Sequence, residues 1–222
     1  MSKYLSIKKA CEITDTIFNE IVDNFDFMTE KEIERYILKR FRDFKVKKAY
    51  PPIAANNSSV IHAKPRNKTL KNGFLILDFA AKCNGYCADM TRTLHMGRAS
   101  AGERKLYNLV RTCQQRSLAS VKRGANCCDL DVNARVMLGK YKRFFSHSLG
   151  HGIGRKIHMN PKISPTSKDV LKRTDIITIE PGIYIKEKKK EFGIRIEDTV
   201  DVASRKSLTK STKNFLEIIR QR

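Results

Sequence analysis

Nothing in this 222-residue sequence stays apolar for long enough to cross a bilayer, since no run approaches the roughly 18 residues a span requires. The first residues, MSKYLSIKKACE, lack the apolar core of a secretory signal. Together these absences predict a cytoplasmic protein with no membrane partner. Six cysteines are present, but Cys83 and Cys87 are four apart and Cys127 and Cys128 adjacent, so no pair has the C-x-x-C spacing of a structural zinc site. Without a secretion signal they are expected to be reduced, ordinary thiols. Acidic residues are scarce, 23 against 45 Lys and Arg, for a formal net charge of +22. Such a balance fits contact with nucleic acid or ribosomes, or attraction of acidic substrates. The cations are scattered, however, and no aromatic residues interleave with the short runs Lys45–Lys48 and Lys186–Lys190. A generally basic surface is the expectation, and nucleic acid is not favoured as a partner. The length allows one substantial core or at most two small domains.

Histidine is rarer still, and three of the five fall in one stretch, SHSLGHGIGRKIHMNP, from Ser146 to Pro161. His147, His151 and His158 are separated there by Gly150, Gly152 and Gly154. So much glycine weakens a regular element and is accepted where backbone must approach a ligand or adopt dihedrals closed to other residues. Imidazoles gathered in this way need carboxylate partners to build a metal or acid–base site. Two pairs are available, Asp78 with Asp89 and Glu180 with Glu197.

Apolar spacing predicts a helix over about 6–24, and Thr29 with Glu32 forms a capping box opening a second over about 30–43. Pro51-Pro52 stops helix, and short strands and turns carry His62. Phe74–Ala81 and Tyr86–Thr93 read as strands joined by a two-residue turn at Asn84-Gly85. That turn sets Cys83 against Tyr86 and hence Asp78 against Thr91, with Asp89 on the same face as Thr91. Ser100 and Glu103 cap a third helix running to about Lys122, and a fourth spans about 129–142. Ile176–Ile185 and Phe192–Val202 then read as a second hairpin across a lysine-rich tip, and a short helix is expected over about 211–220. Helix–helix–hairpin therefore occurs twice, each hairpin supplying two acidic residues. An α+β domain built by internal duplication, with the site between its halves, is the economical reading.

Asp78, Asp89, His151, Glu180 and Glu197 are the candidate ligands. Four carboxylates with one imidazole make a hard, oxygen-rich set suited to manganese, cobalt, iron or magnesium. Their negative charge favours two ions, a pair able to lower the pKa of a bridging water and polarise a carbonyl. His62 and His158 remain free to hydrogen-bond the oxygen of a tetrahedral intermediate. His95 stands apart and reads as structural.

LILDFAAKCNGYCADMTRT, SHSLGHGIGRKIH, TIEPGIYI and FGIRIEDTV, in that order, resemble the dinuclear metallopeptidases of the pita-bread fold. That family includes methionine aminopeptidases, aminopeptidase P, Xaa-Pro dipeptidase and creatinase. The resemblance covers residues 5–202 or so and implies pseudo-twofold helix–helix–hairpin units around a central antiparallel sheet. It further implies that Asp78 binds one metal and His151 and Glu180 the other, with Asp89 and Glu197 bridging. The ions would be two divalent metals, manganese first, with cobalt, iron or zinc as alternatives. His62 and His158 would contact the substrate carbonyl and the intermediate, and Glu180 would accept the proton of a bridging water that attacks as hydroxide. Arg195 resembles the arginine supporting the bridging glutamate, and His147 the histidine near the proline pocket; both are candidate substrate-binding residues. H-S-L-G-H, E-P-G-I-Y and R-I-E-D resemble the proline-specific branch, closest to aminopeptidase P and the dipeptidase. The implied activity is an aminopeptidase acting on peptides with an N-terminal Xaa-Pro, with methionine aminopeptidase as the alternative. A non-catalytic RNA-, ribosome- or protein-binding member of the fold is the alternative of another class. Residues 1–222 are expected to form a single catalytic domain without the N-terminal domain of creatinase type. Two positions depart from the family pattern: Ala80 replaces a common glycine, and Met159 follows His158 where glutamate is usual.

Overall fold

The computed structural model of the chain describes residues 2–188 and 190–219. Its helices start where local chemistry places them. Ser2 caps α1 (Lys3–Asp23), which buries Ile7, Ala10, Ile13, Ile17 and Ile21. Thr29 and Glu32 exchange both hydrogen bonds of a capping box at the head of α2 (Glu30–Asp43), as do Ser100 and Glu103 for α3 (Ala101–Ala119). The fourth helix, α4 (Cys127–Leu138), starts earlier and stops sooner than its apolar spacing predicts. Asn126 accepts from its first turn, and Gly139, at φ 56, ends it in a 3-10 turn over Gly139–Phe144.

Asn84 and Gly85 have φ of 49 and 80, both positive as a type I′ turn demands. Cys83 pairs with Tyr86, and further out Asp78 pairs with Thr91, so the register set by the two-residue turn holds along the hairpin. Each expected strand is nevertheless interrupted. The first hairpin consists of Gly73–Asp78, Ala81–Cys83, Tyr86–Cys87 and Thr91–Met96. The second consists of Ile176–Ile179, Gly182–Glu187, Lys190–Arg195 and Asp198–Asp201. Ile179 pairs with Asp198 and Gly182 with Arg195, a register that sets Glu180 opposite Glu197 across the interruption. The ladders open where the carboxylates are.

In the first half, Gly73–Asp78 lies between Ile53–Asn56 and Thr91–Met96, antiparallel to both. In the second, the order is Lys206–Ser207, Asp198–Asp201, Ile176–Ile179, Gly150–Gly152, Met159–Ile163. Each half has its own apolar core, α1 and α2 packing on the first hairpin, α3 and α4 on the second. The halves meet strand to strand: Glu197 N–H donates to Thr91 O at 3.0 Å, and Thr93 Oγ1 donates to Arg195 O at 2.8 Å. No described helix is long and apolar enough to cross a membrane.

The C-terminal helix expected over about 211–220 does not form among the described residues; Arg220 lies outside them. Glu217–Ile218 is instead a strand, parallel to His95–Met96. Asp15 on α1 accepts from the backbone N–H groups of Lys210 and Ser211, both at 2.7 Å. That anchor draws the tail out in extended form. Its apolar residues, whose spacing resembles a helix face, pack against both cores.

Candidate metal centre

Asp78 ends its strand, Asp89 lies in the gap before Thr91, and Glu180 and Glu197 face each other in the gap of the second hairpin. His151 comes from the strand Gly150–Gly152. The glycines around it have a different reason from the expected backbone approach to a ligand. A Cβ on Gly150 would strike the Thr178 carbonyl, and one on Gly152 the Asn160 carbonyl. It is neighbouring strands that come close, which leaves the His151 side chain as the group presented to the site.

One ligand atom each from Asp89, His151 and Glu197 lies within 4.8 Å of the others. His151 Nδ1 is 3.0 Å from Gly152 O. A carbonyl only accepts, so Nδ1 carries the proton and Nε2 keeps its lone pair. Nε2 is 3.6 Å from Asp89 Oδ2 and 3.5 Å from Glu180 Oε1. Burial pushes the carboxyls of Asp89, Glu180 and Glu197 well above the ordinary range, and mutual repulsion adds to it: Asp78 acts on Asp89, Glu197 on Glu180, and Asp89 on Glu197. The same desolvation lowers His151 to about 4, holding the imidazole neutral. Buried carboxylates crowded around a neutral imidazole with an available lone pair are a donor set that a divalent cation fits.

Asp78 is held differently from the other three carboxylates. It forms an ion pair with Arg195 Nη2 and accepts from the Tyr50 hydroxyl at 2.5 Å. That hydroxyl is also 2.6 Å from Asp89 Oδ1, so one phenol spans two candidate ligands. Arg195 reaches Glu197 only indirectly: its Nε donates to Thr91 Oγ1 at 3.0 Å, and Thr91 Oγ1 donates to Glu197 Oε2 at 2.7 Å. Its Nη1 donates to the Tyr184 hydroxyl at 2.5 Å. Tyr184 in turn lies 3.0 Å from His147 Nε2, and His147 Nδ1 lies 2.8 Å from Ser148 O. Both nitrogens of His147 are thus engaged by the protein. Burial, reinforced by Arg195, depresses His147 to about 3. The arrangement makes His147 and Arg195 two ends of a relay through Tyr184 that terminates on Asp78.

Tyr50, Thr91 and Tyr184 did not emerge as site residues from the sequence. Tyr184 and Thr91 lie inside the E-P-G-I-Y and T-R-T segments, whose alternation offered a signal. Tyr50, just before Pro51-Pro52, offered none.

His62 and His158 are exposed and line a cavity of about 750 Å³ whose floor carries the candidate ligands. The His158 ring stands edge-on to His151, centroids 4.4 Å apart. Partial burial and the neighbouring His62 lower its pKa. His95 is buried against Phe74 and Phe215, away from this cavity, with Nδ1 2.9 Å from Gly97 O.

A model of metallopeptidase family M24 matches residues 6–204. The Xaa-Pro dipeptidase of Pyrococcus furiosus is 36% identical over 221 residues, covering 95% of this chain and 62% of that protein. Among solved structures, recombinant prolidase from Thermococcus sibiricus superposes with a TM-score of 0.91 at 32% identity, covering 97% of this chain and 61% of that one. X-Pro aminopeptidase from Thermotoga maritima gives 0.90 at 33%, covering 97% and 63%. The chain thus spans less than two thirds of each. Its fold is the pita-bread arrangement that these neighbours share.

Proposed function

The chain belongs to metallopeptidase family M24, and from that premise we propose that it is a metal-dependent aminopeptidase that hydrolyses the N-terminal bond of peptides beginning Xaa-Pro. The observation that carries this reading is the convergence of Asp89, Glu180, Glu197 and the Nε2 lone pair of His151 on the floor of one cavity. Asp78, Asp89, His151, Glu180 and Glu197 would hold two divalent ions. Hard oxygen donors favour manganese, with cobalt, iron or zinc as alternatives. When bound, the ions activate water as a nucleophile and polarise the scissile carbonyl.

The protein's own groups do the rest. Glu180, beside His151, takes the proton of the attacking water and can return it to the leaving nitrogen. His62 and His158, from two separate segments of the cavity lining, orient the scissile carbonyl and stabilise its developing negative charge. Proline has no amide hydrogen and a fixed φ, so its pocket needs shape and rigid walls rather than an acceptor. The Arg195–Tyr184–His147 relay supplies such a wall. It also ties Asp78 of the first half to the second hairpin.

The test is reconstitution of the protein with each of these metals and assay on matched Xaa-Pro and Met-Ala peptides of two or more residues. Release of the residue before proline supports the proposal, and the longest peptide cleaved separates aminopeptidase from dipeptidase action. Preference for Met-Ala would make the protein a methionine aminopeptidase. No cleavage with any metal would make it a binding member of the fold, with RNA, ribosomes or protein as the partner to seek.

A further inference from the structure

We infer, on the footing of the metal-centre and peptidase readings above, that Lys213 in the C-terminal tail is a positioning residue for Glu197, acting through the buried pair Asp198–Arg92. Glu197 and Asp198 are neighbours where the interrupted strand resumes, and their side chains part there. Glu197 lines the cavity, whereas Asp198 is fully buried and does not. Asp198 Oδ1 accepts from Arg92 Nη2 at 2.7 Å and from Thr209 Oγ1 at 2.8 Å. Its Oδ2 accepts from Gln114 Nε2 at 2.8 Å and from Ser207 Oγ at 3.1 Å, and Lys213 Nζ completes the set with an ion pair. A buried carboxylate so fully satisfied is a fixed point of the backbone, and it stands one residue from a candidate ligand.

Arg92 carries that hold to Glu197 itself. Its Nη1 donates to Glu197 O at 2.5 Å and to Thr91 O at 2.9 Å. Thr91 O also accepts the Glu197 N–H at 3.0 Å, and Thr91 Oγ1 donates to Glu197 Oε2 at 2.7 Å. Backbone and carboxylate of Glu197 are therefore both set by Thr91 and Arg92, from the other half of the molecule. The tail in turn orients the Arg92 guanidinium. Nε and Nη2 donate to Ser211 O at 3.2 and 2.9 Å, and Nε to Thr212 O at 3.1 Å. Ser211 is tied down by Asp15 on α1. Arg92, Asp198, Ser211 and Lys213 all lie outside the cavity lining, so the tail reaches the centre from behind.

Ser211 and Thr212 give Arg92 only backbone carbonyls, which any residue there would supply. Lys213 gives a side chain, and its loss has two opposed effects on a bound ion. With Arg92 it sets two cations on one buried anion behind an acidic floor. Charge alone makes that arrangement repel a divalent ion, so removing Lys213 would tighten metal binding. Positioning predicts the reverse. A loosened Asp198–Arg92 pair lets Glu197 drift from its place, and metal binding weakens. The sign of the change separates the two.

The experiment compares the wild-type chain with Lys213→Met, Lys213→Arg and Phe215→Leu. The first keeps the apolar stem without the charged donor, and the second restores a charged donor at a partly exposed site. The third disturbs the same tail where it packs on Tyr107 and His95 rather than on Asp198. Manganese Kd by equilibrium dialysis and the visible spectrum of the cobalt-loaded protein are read beside Tm and, on Ala-Pro-Gly, kcat and KM. Lys213→Met should weaken at least one ion by about tenfold, shift the cobalt spectrum and lower kcat more than it raises KM. Lys213→Arg should recover most of that loss. Phe215→Leu should lower Tm and leave Kd and spectrum as they are. Unchanged or tighter metal binding in Lys213→Met, a Lys213→Arg as weak as Lys213→Met, or equal weakening in Phe215→Leu would overturn the proposal. If Lys213→Met does not fold, Thr209→Val removes a neutral donor from the same carboxylate, and unaltered manganese binding there overturns it. If no peptide is cleaved, the peptidase reading fails by itself and the metal affinities still decide. A wild-type chain that holds neither manganese nor cobalt would overturn both.

Discussion

A carbonyl oxygen decides which nitrogen of His151 can take a metal. Because Gly152 O fixes the proton on Nδ1, the Nε2 lone pair faces Asp89 and Glu180 without any tautomeric cost. His151→Ala and Asp89→Ala should therefore each lose about one ion per chain while keeping the fold, since the remaining carboxylates can still hold the other. Elemental analysis of the purified variants checks this, and a full complement in either would remove that residue from the ligand set. His158 is the contrasting case, exposed and edge-on to His151 but outside the ligand-spaced group. His158→Ala should retain its metal and lose turnover by roughly two to four orders of magnitude. Near-normal turnover, or metal loss, would show that its role is a different one.

Between elements, the contact of α1 with α2 shows a pH dependence whose sign can be worked out. Arg40 grips Glu20 with two hydrogen bonds of 2.7 Å, and the Tyr36 hydroxyl adds one at 3.1 Å. Those donors, Arg40 first, hold the Glu20 carboxyl below its ordinary value. A carboxyl depressed in the folded state stabilises the protein above its unfolded pKa of about 4.3, and that contribution is lost as pH falls through the folded value. Glu20→Gln should thus lower Tm slightly at pH 7, by an amount worth under about 1 kcal/mol, because the pair is partly solvated. At a pH well below the lowered folded value the two proteins should melt together. Thermal unfolding at both pH values is the measurement; a difference that persists or grows in acid would mean that the pair acts through packing.

Across the whole molecule, the site is also the joint. Asp78 and Asp89 come from the first half, and His151, Glu180 and Glu197 from the second, while each half has its own core. Repulsion among buried carboxylates opposes closure of that joint, and a divalent ion binding only the folded form would reverse the effect. Saturating manganese should raise Tm by several degrees, further as its concentration rises. The gain should shrink in Asp89→Ala. A Tm indifferent to manganese and to chelator would separate metal binding from the packing of the halves.

What the sequence determined by itself was local. Capping boxes at Thr29 and Ser100 act within one turn of helix, and the Asn84-Gly85 turn fixes the register of a hairpin over many residues, because side-chain period and turn geometry are short-range properties. Hence the first hairpin's pairing, the helix order and the candidate ligands could be read from residues 6–202. The tertiary structure decided what depends on partners distant in sequence. Ser211 is drawn into extended form by Asp15, 196 residues away, against a helix-like apolar spacing. Tyr50 reaches Asp89 across 39 residues, Arg195 is committed to Asp78 rather than directly to Glu197, and His147 spends both nitrogens on Ser148 and Tyr184. Gly150 and Gly152 are small because two other strands press on them, not because a ligand does. Periodicity and capping act over one turn or one strand pair, whereas these contacts form only when the two halves close, and only then can a buried charge find its partner.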